Sequence, residues 1–86
     1  MARYFFDVQE PTAYLLDDEG LDCSDLADVS DQAVRALCEI AAEHPEKYID
    51  QHLKVFVRNN QNGILLSAAL TVSFSWHLAE AEAAEA

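Results

Sequence analysis

The chain has 86 residues, of which 51% are apolar, with only two Gly and two Pro and a formal charge of −11 at pH 7. This length holds one domain with one two-layer core, and the apolar content excludes low-complexity disorder over residues 1–78. No stretch reaches the roughly 18 apolar residues of a membrane span, and the first residues lack a signal-peptide pattern, so the expectation is a cytoplasmic protein with no membrane partner.

Arg3 to Val8 is an aromatic, β-branched run closed by Gln9-Glu10-Pro11-Thr12, which reads as a strand and a proline-set turn. Ala13 to Leu16 forms a second short run, ended by Asp17-Asp18-Glu19-Gly20. An extended path resumes at Leu21 to Cys23, so a hairpin with an irregular second strand is expected. After Ser24 the period becomes helical. Leu26, Val29, Ala33, Leu37 and Ile40 share one stripe, with Asp28, Asp31, Gln32, Arg35 and Glu39 opposite. Ser24 or Asp25 can cap this helix, and Pro45 ends it near His44, which can satisfy terminal carbonyls.

Glu46 to Gln51 is a connection that Tyr48 and Ile49 tack to the core. His52 to Arg58 alternates Leu53, Val55 and Val57 against Lys54, Phe56 and Arg58. Asn59 to Gly63 then turns the chain into the longest alternation in the sequence, from Ile64 to Leu78. Its even positions, Ile64, Leu66, Ala68, Leu70, Val72, Phe74, Trp76 and Leu78, are apolar, the pattern of a half-buried antiparallel strand. Residues 79–86 are only Ala and Glu and are expected to form a disordered tail outside a single domain of residues 1–78.

These elements assemble into a two-layer α+β domain, a four-stranded, mainly antiparallel sheet with one helix on one face, in the order ββαββ. Several segments together resemble a family of small bacterial proteins catalogued only as a domain of unknown function. They are the opening Arg3-Tyr4-Phe5-Phe6-Asp7-Val8, the Asp17-x-Glu19-Gly20-Leu21 turn, the Asp25-Leu26 helix start with Ala33-x-x-Ala36-Leu37, and the closing hairpin. The resemblance covers most of residues 2–78 and implies the same strand–strand–helix–strand–strand order. It brings no activity, cofactor or catalytic residue. Pro11 in the first turn and the Ala/Glu tail depart from the family pattern.

With Tyr4, Phe6, Val8, Leu53, Val55, Val57 and the even positions of the last strand in the core, the other face carries Arg3, Phe5, Asp7, Lys54, Phe56, Arg58, Thr71, Ser73, Ser75 and His77. Arg3, Phe5, Lys54, Phe56, Arg58 and His77 are the candidate interaction residues. A one-helix sheet leaves this face uncovered, and a second copy would close it, so a homodimer is expected. The alternative is a small ligand or single-stranded nucleic acid on an aromatic, basic platform. Charge weighs against nucleic acid. No basic residue lies between Tyr4 and Val34, where Asp17, Asp18, Glu19, Asp22, Asp25, Asp28 and Asp31 crowd together. Such acidity repels phosphate and suits a basic protein partner.

Nothing in the chain names a reaction. His44, His52, His77, Cys23 and Cys38 show no paired metal spacing, and both cysteines read as structural, Cys38 as a small buried thiol of the helix. Asp17-Asp18-Glu19-Gly20 lacks the ligand spacing of a calcium loop and reads as a solvated turn. With no Ser–His–Asp order and no phosphate loop, the expectation is a non-catalytic interaction or regulatory module without cofactor or metal.

Overall fold

The computed structural model describes residues 1–78; the expected tail at 79–86 lies outside the described residues. The elements are β1 (Ala2–Gln9), β2 (Tyr14–Leu15), β3 (Leu21–Cys23), α1 (Leu26–Glu43), a short 3₁₀ turn (Pro45–Tyr48), β4 (Leu53–Arg58) and β5 (Ile64–Leu70). The sheet order is β2-β1-β4-β5 with β3 also on β1, and every strand pair is antiparallel. One helix packs on one face of this sheet, the α+β architecture the periodicities indicate.

The core is where the helical and strand periods meet. Val29, Ala33, Leu37 and Ala41 of α1 are buried against Leu53, Val55 and Val57 of β4, with Cys23 and Tyr48 closing the two sides. Tyr4, Phe6, Val8, Leu66, Ala68 and Leu70 pack around them. Asp25 caps α1, its carboxylate accepting the Asp28 N–H at 2.8 Å, while Asp28 in turn accepts the Ser24 N–H at 3.0 Å. Donors left unpaired at the helix start are thus satisfied reciprocally. Pro45 ends the helix at His44, whose ring faces the Glu46 carboxylate at 3.4 Å; its contribution to capping is not to the terminal carbonyls. Tyr48 is buried, as expected of a tack residue, and donates its hydroxyl to Glu10 at 2.9 Å.

Five expectations are corrected. The irregular second strand is two short strands, with Val8 paired to Leu15 and Tyr4 to Leu21, so Leu16 to Gly20 bulge opposite Phe5 to Asp7. Cys38 is exposed, because it sits just off the buried stripe, and Leu26 is 66% exposed at the first position of the helix. Ile64 leaves the core face: a register shift between Val57 and Arg58 pairs Arg58 with Ile64, and Ile64 is 64% exposed. A bulge residue shifts the alternation by one, which exchanges the faces. Finally, β5 stops at Leu70, opposite Leu53, where its partner β4 begins. Val72 switches instead to the connection after α1, its N–H bonding the Tyr48 carbonyl at 2.9 Å and its carbonyl accepting the Asp50 N–H at 3.0 Å.

Candidate functional site

The face away from the helix is built from the alternate residues of β1 and β4. Register brings Phe5 opposite Arg58, Asp7 opposite Phe56 and Gln9 opposite Lys54. Cross-strand partners share a face, so Phe5, Lys54, Phe56 and Arg58 do assemble there as the sequence indicates. Arg3 precedes them on β1, paired with Asp22.

This face is not open throughout. Asp7, expected at its surface, is 1% exposed. The bulge from Leu16 to Gly20 closes over it. Because the bulge interrupts the ladder, the Phe6 N–H has no strand partner, and the Asp17 carboxylate accepts it at 3.0 Å. The Asp17 N–H donates to Asp7 at 3.0 Å, and the other oxygen of Asp17 accepts the Glu19 and Gly20 N–H groups at 3.1 Å each. Arg58 then locks the arrangement. Its Nε donates to Asp7 at 2.6 Å, its Nη2 donates to Asp7 and to the Asp17 carbonyl at 3.0 Å, and its guanidinium lies 5.0 Å from the Phe5 ring centroid. Gly20, at φ +77°, packs under this cluster: a Cβ there would stand 2.8 Å from Arg3 Cγ and 3.0 Å from Phe5 Cε1.

The electrostatics follow from this geometry. The Arg58 guanidinium holds the Asp7 carboxyl below the usual range, against the opposing effect of burial. Burial pushes Asp17 up, but the N–H groups of Phe6, Gly20 and Glu19 outweigh it and leave its pKa lowered. Asp17 therefore belongs to the framework, not to a solvated turn. Both of its oxygens are occupied by backbone donors. Among the described residues no group of three or more His, Cys, Asp or Glu is placed to hold a metal ion.

Two of the candidate cations are thereby neutralised within the molecule. Arg58 is committed to Asp7, and Arg3 pairs with Asp22 at 3.2 Å and also donates to the Glu19 carbonyl. Half-buried Lys54 and Phe56 remain on the lower part of the face. The neighbouring hollows are small. One of 200 Å³ is lined by Glu10, Pro11, Thr12 and Lys47, and one of 130 Å³ lies between α1 and Leu21. Both fall short of the roughly 300 Å³ at which small-molecule pockets begin.

His77 does not join this face as expected; it lies in the segment Ser73–His77, past the end of β5. That segment is the largest concentration of exposed aromatic surface. Phe74 is 59% and Trp76 is 76% exposed, and their rings meet edge to face at 5.9 Å. Beyond Val72, no backbone hydrogen bond joins it to the rest of the described residues. Asp7, Asp17 and Gly20 complete the site around Arg58, although the sequence pattern does not single them out. Their signal was a charged residue inside an aromatic strand and an Asp three residues before a Gly.

No curated protein and no solved structure matches the chain. A family model matches residues 3–71, a span that takes in α1, the strands described above apart from the first residue of β1, and the Asp7–Asp17–Arg58 cluster. The chain therefore belongs to the family described as "Domain of unknown function (DUF6894)".

Proposed function

We propose that this protein is a non-catalytic, cytoplasmic interaction module that associates with a second copy of itself, through the edge of β5 and the segment that follows it. The observation that carries this reading is the exposed Phe74–Trp76 pair on a stretch of chain whose backbone has no partner among the described residues. Apolar surface of this kind, together with an unpaired strand edge, favours association. Ile64 and Leu65, 64% and 48% exposed at the start of β5, extend the apolar edge. Exposed Asp18, Glu19, Asp22 and Asp25 on the opposite side of the sheet supply a surface for a basic protein partner in a regulatory role.

The mass in solution tests the proposal. Light scattering should give twice the chain mass of 9.6 kDa, and a monomer at millimolar concentration would end this reading. The alternative, a single-stranded nucleic-acid platform on Phe5 and Phe56, has less support. Arg3 and Arg58 already have carboxylate partners, and phosphate would have to displace them.

A further inference from the structure

We propose that Ser73–His77 pairs antiparallel with the same segment of a second copy, about a two-fold axis passing through Ser75. The inference rests on the self-association proposed above and names its surface. In this register Phe74 faces Trp76 of the other copy, Trp76 faces Phe74, and Ser73 faces His77. Directly opposed residues of an antiparallel pair lie on one face, so all four aromatic rings gather on one side of the new ladder and the hydroxyls on the other. An interface built from one patch meeting itself is what two-fold symmetry requires.

The alternation and the bonds of Val72 argue against two neighbouring registers. A shift of one residue would set Phe74 opposite Ser75 and split the aromatics between the two faces. Centring the axis on Phe74 would bring Val72 opposite Trp76, but the N–H and carbonyl of Val72 are already bonded to Tyr48 and Asp50. The stretch from Ser73 to His77, symmetric about Ser75, begins just past Val72, where the backbone has no hydrogen-bond partner among the described residues.

Charge points to the same place. In a chain of net charge −11, no acidic residue occurs between Gln51 and Ala79. Between those two positions two copies meet without opposing carboxylates, unlike at the acidic bulge and the helix start. A second copy is therefore admitted here and discouraged at the acidic bulge and helix.

The test uses the full chain with the exposed Cys38 changed to Ala and one further cysteine placed at Ser75. Only the residue on the axis meets its own copy, within the roughly 4.4–6.8 Å Cα separation a disulfide spans. With oxidised glutathione as the oxidant, Ser75→Cys should form a covalent dimer, and Ser67→Cys on β5 should not. Trp76 is the chain's single tryptophan, so its emission should shift to the blue as concentration rises, in step with the mass. Trp76→Ser should weaken association by at least about tenfold without altering the far-ultraviolet spectrum. A dimer by mass in which Ser75→Cys cross-links no better than Ser67→Cys would overturn the register and leave self-association standing. A monomer by mass with unshifted Trp76 emission would overturn both.

Discussion

Asp7 shows how much of this fold hangs on one side chain. It is the buried charged residue among those described, and it joins β1, the bulge and β4 through Asp17 and Arg58. Removing one partner of a buried ion pair leaves the other uncompensated and costs about 3–5 kcal/mol. Arg58 keeps some contact with water, its side chain 19% exposed, so Asp7→Ala should fall toward the lower end of that range in chemical denaturation. The pH dependence follows from the same contacts. Asp7, held by the Arg58 guanidinium, and Asp17, held by backbone N–H groups against the effect of burial, both have folded-state pKa values below the ordinary carboxylate value. Each contributes stability that is complete above the unfolded pKa and is lost as pH falls through the folded one. Wild type should therefore lose stability as pH drops below about 4. The gap to Asp7→Asn, wide at neutral pH, should close there, because protonated Asp7 and Asn carry the same charge. A gap that stays constant down to pH 2 would show that the ion pair contributes nothing.

At the scale of elements, α1 and the bulge make different demands. Leu37 is 3% exposed at the centre of the helix stripe, and Leu37→Ala should cost roughly 2–5 kcal/mol through lost burial and a cavity. In a domain this small that threatens folding, and thermal melting measures it. Gly20→Ala acts through shape. A side chain at φ +77° is strained, and its Cβ would sit 2.8 Å from Arg3 Cγ, so Arg3 and Phe5 must both move. Melting should fall and the Arg58–Phe5 stacking should loosen, visible as shifted Phe5 ring resonances. The helix, its Asp cap and the inward faces of β1 and β4 were legible in the sequence because each follows from residues close in the chain. What was not legible depends on distant partners. The end of β5 at Leu70 is set by where β4 begins, and Ile64 was turned outward by a bulge opposite Arg58. Likewise, the commitment of Arg58 to Asp7 is a contact across 51 positions. Phe5, Lys54, Phe56 and Arg58 share the face that the alternation predicts, while the Asp7 partner that engages Arg58 lies beyond any local pattern.

Over the whole molecule, the distribution of charge separates the two ways the exposed aromatics could be used. Each copy carries a formal charge of −11, yet the stretch Gln51–Ala79 has no acidic residue. A dimer joined along that stretch still brings two acidic bodies together. Their repulsion acts over about a Debye length, roughly 30 Å at 0.01 M salt and 8 Å at 0.15 M. Added salt screens this repulsion and leaves apolar burial between Phe74 and Trp76 untouched, so self-association should tighten as salt rises from about 0.01 to 0.15 M. Binding of a nucleic acid to Lys54, Arg58 and Arg3 would respond in the opposite sense, because each phosphate neutralised releases counterions and affinity falls steeply with salt. Sedimentation equilibrium across a salt series reads the first, and anisotropy of a labelled single-stranded oligonucleotide reads the second. The proposed dimer requires a dissociation constant that falls with salt. One that rises would mean that ion pairs, not the aromatic segment Ser73–His77, hold the copies together, and the interface would then lie between the acidic bulge and the basic residues of the hairpin.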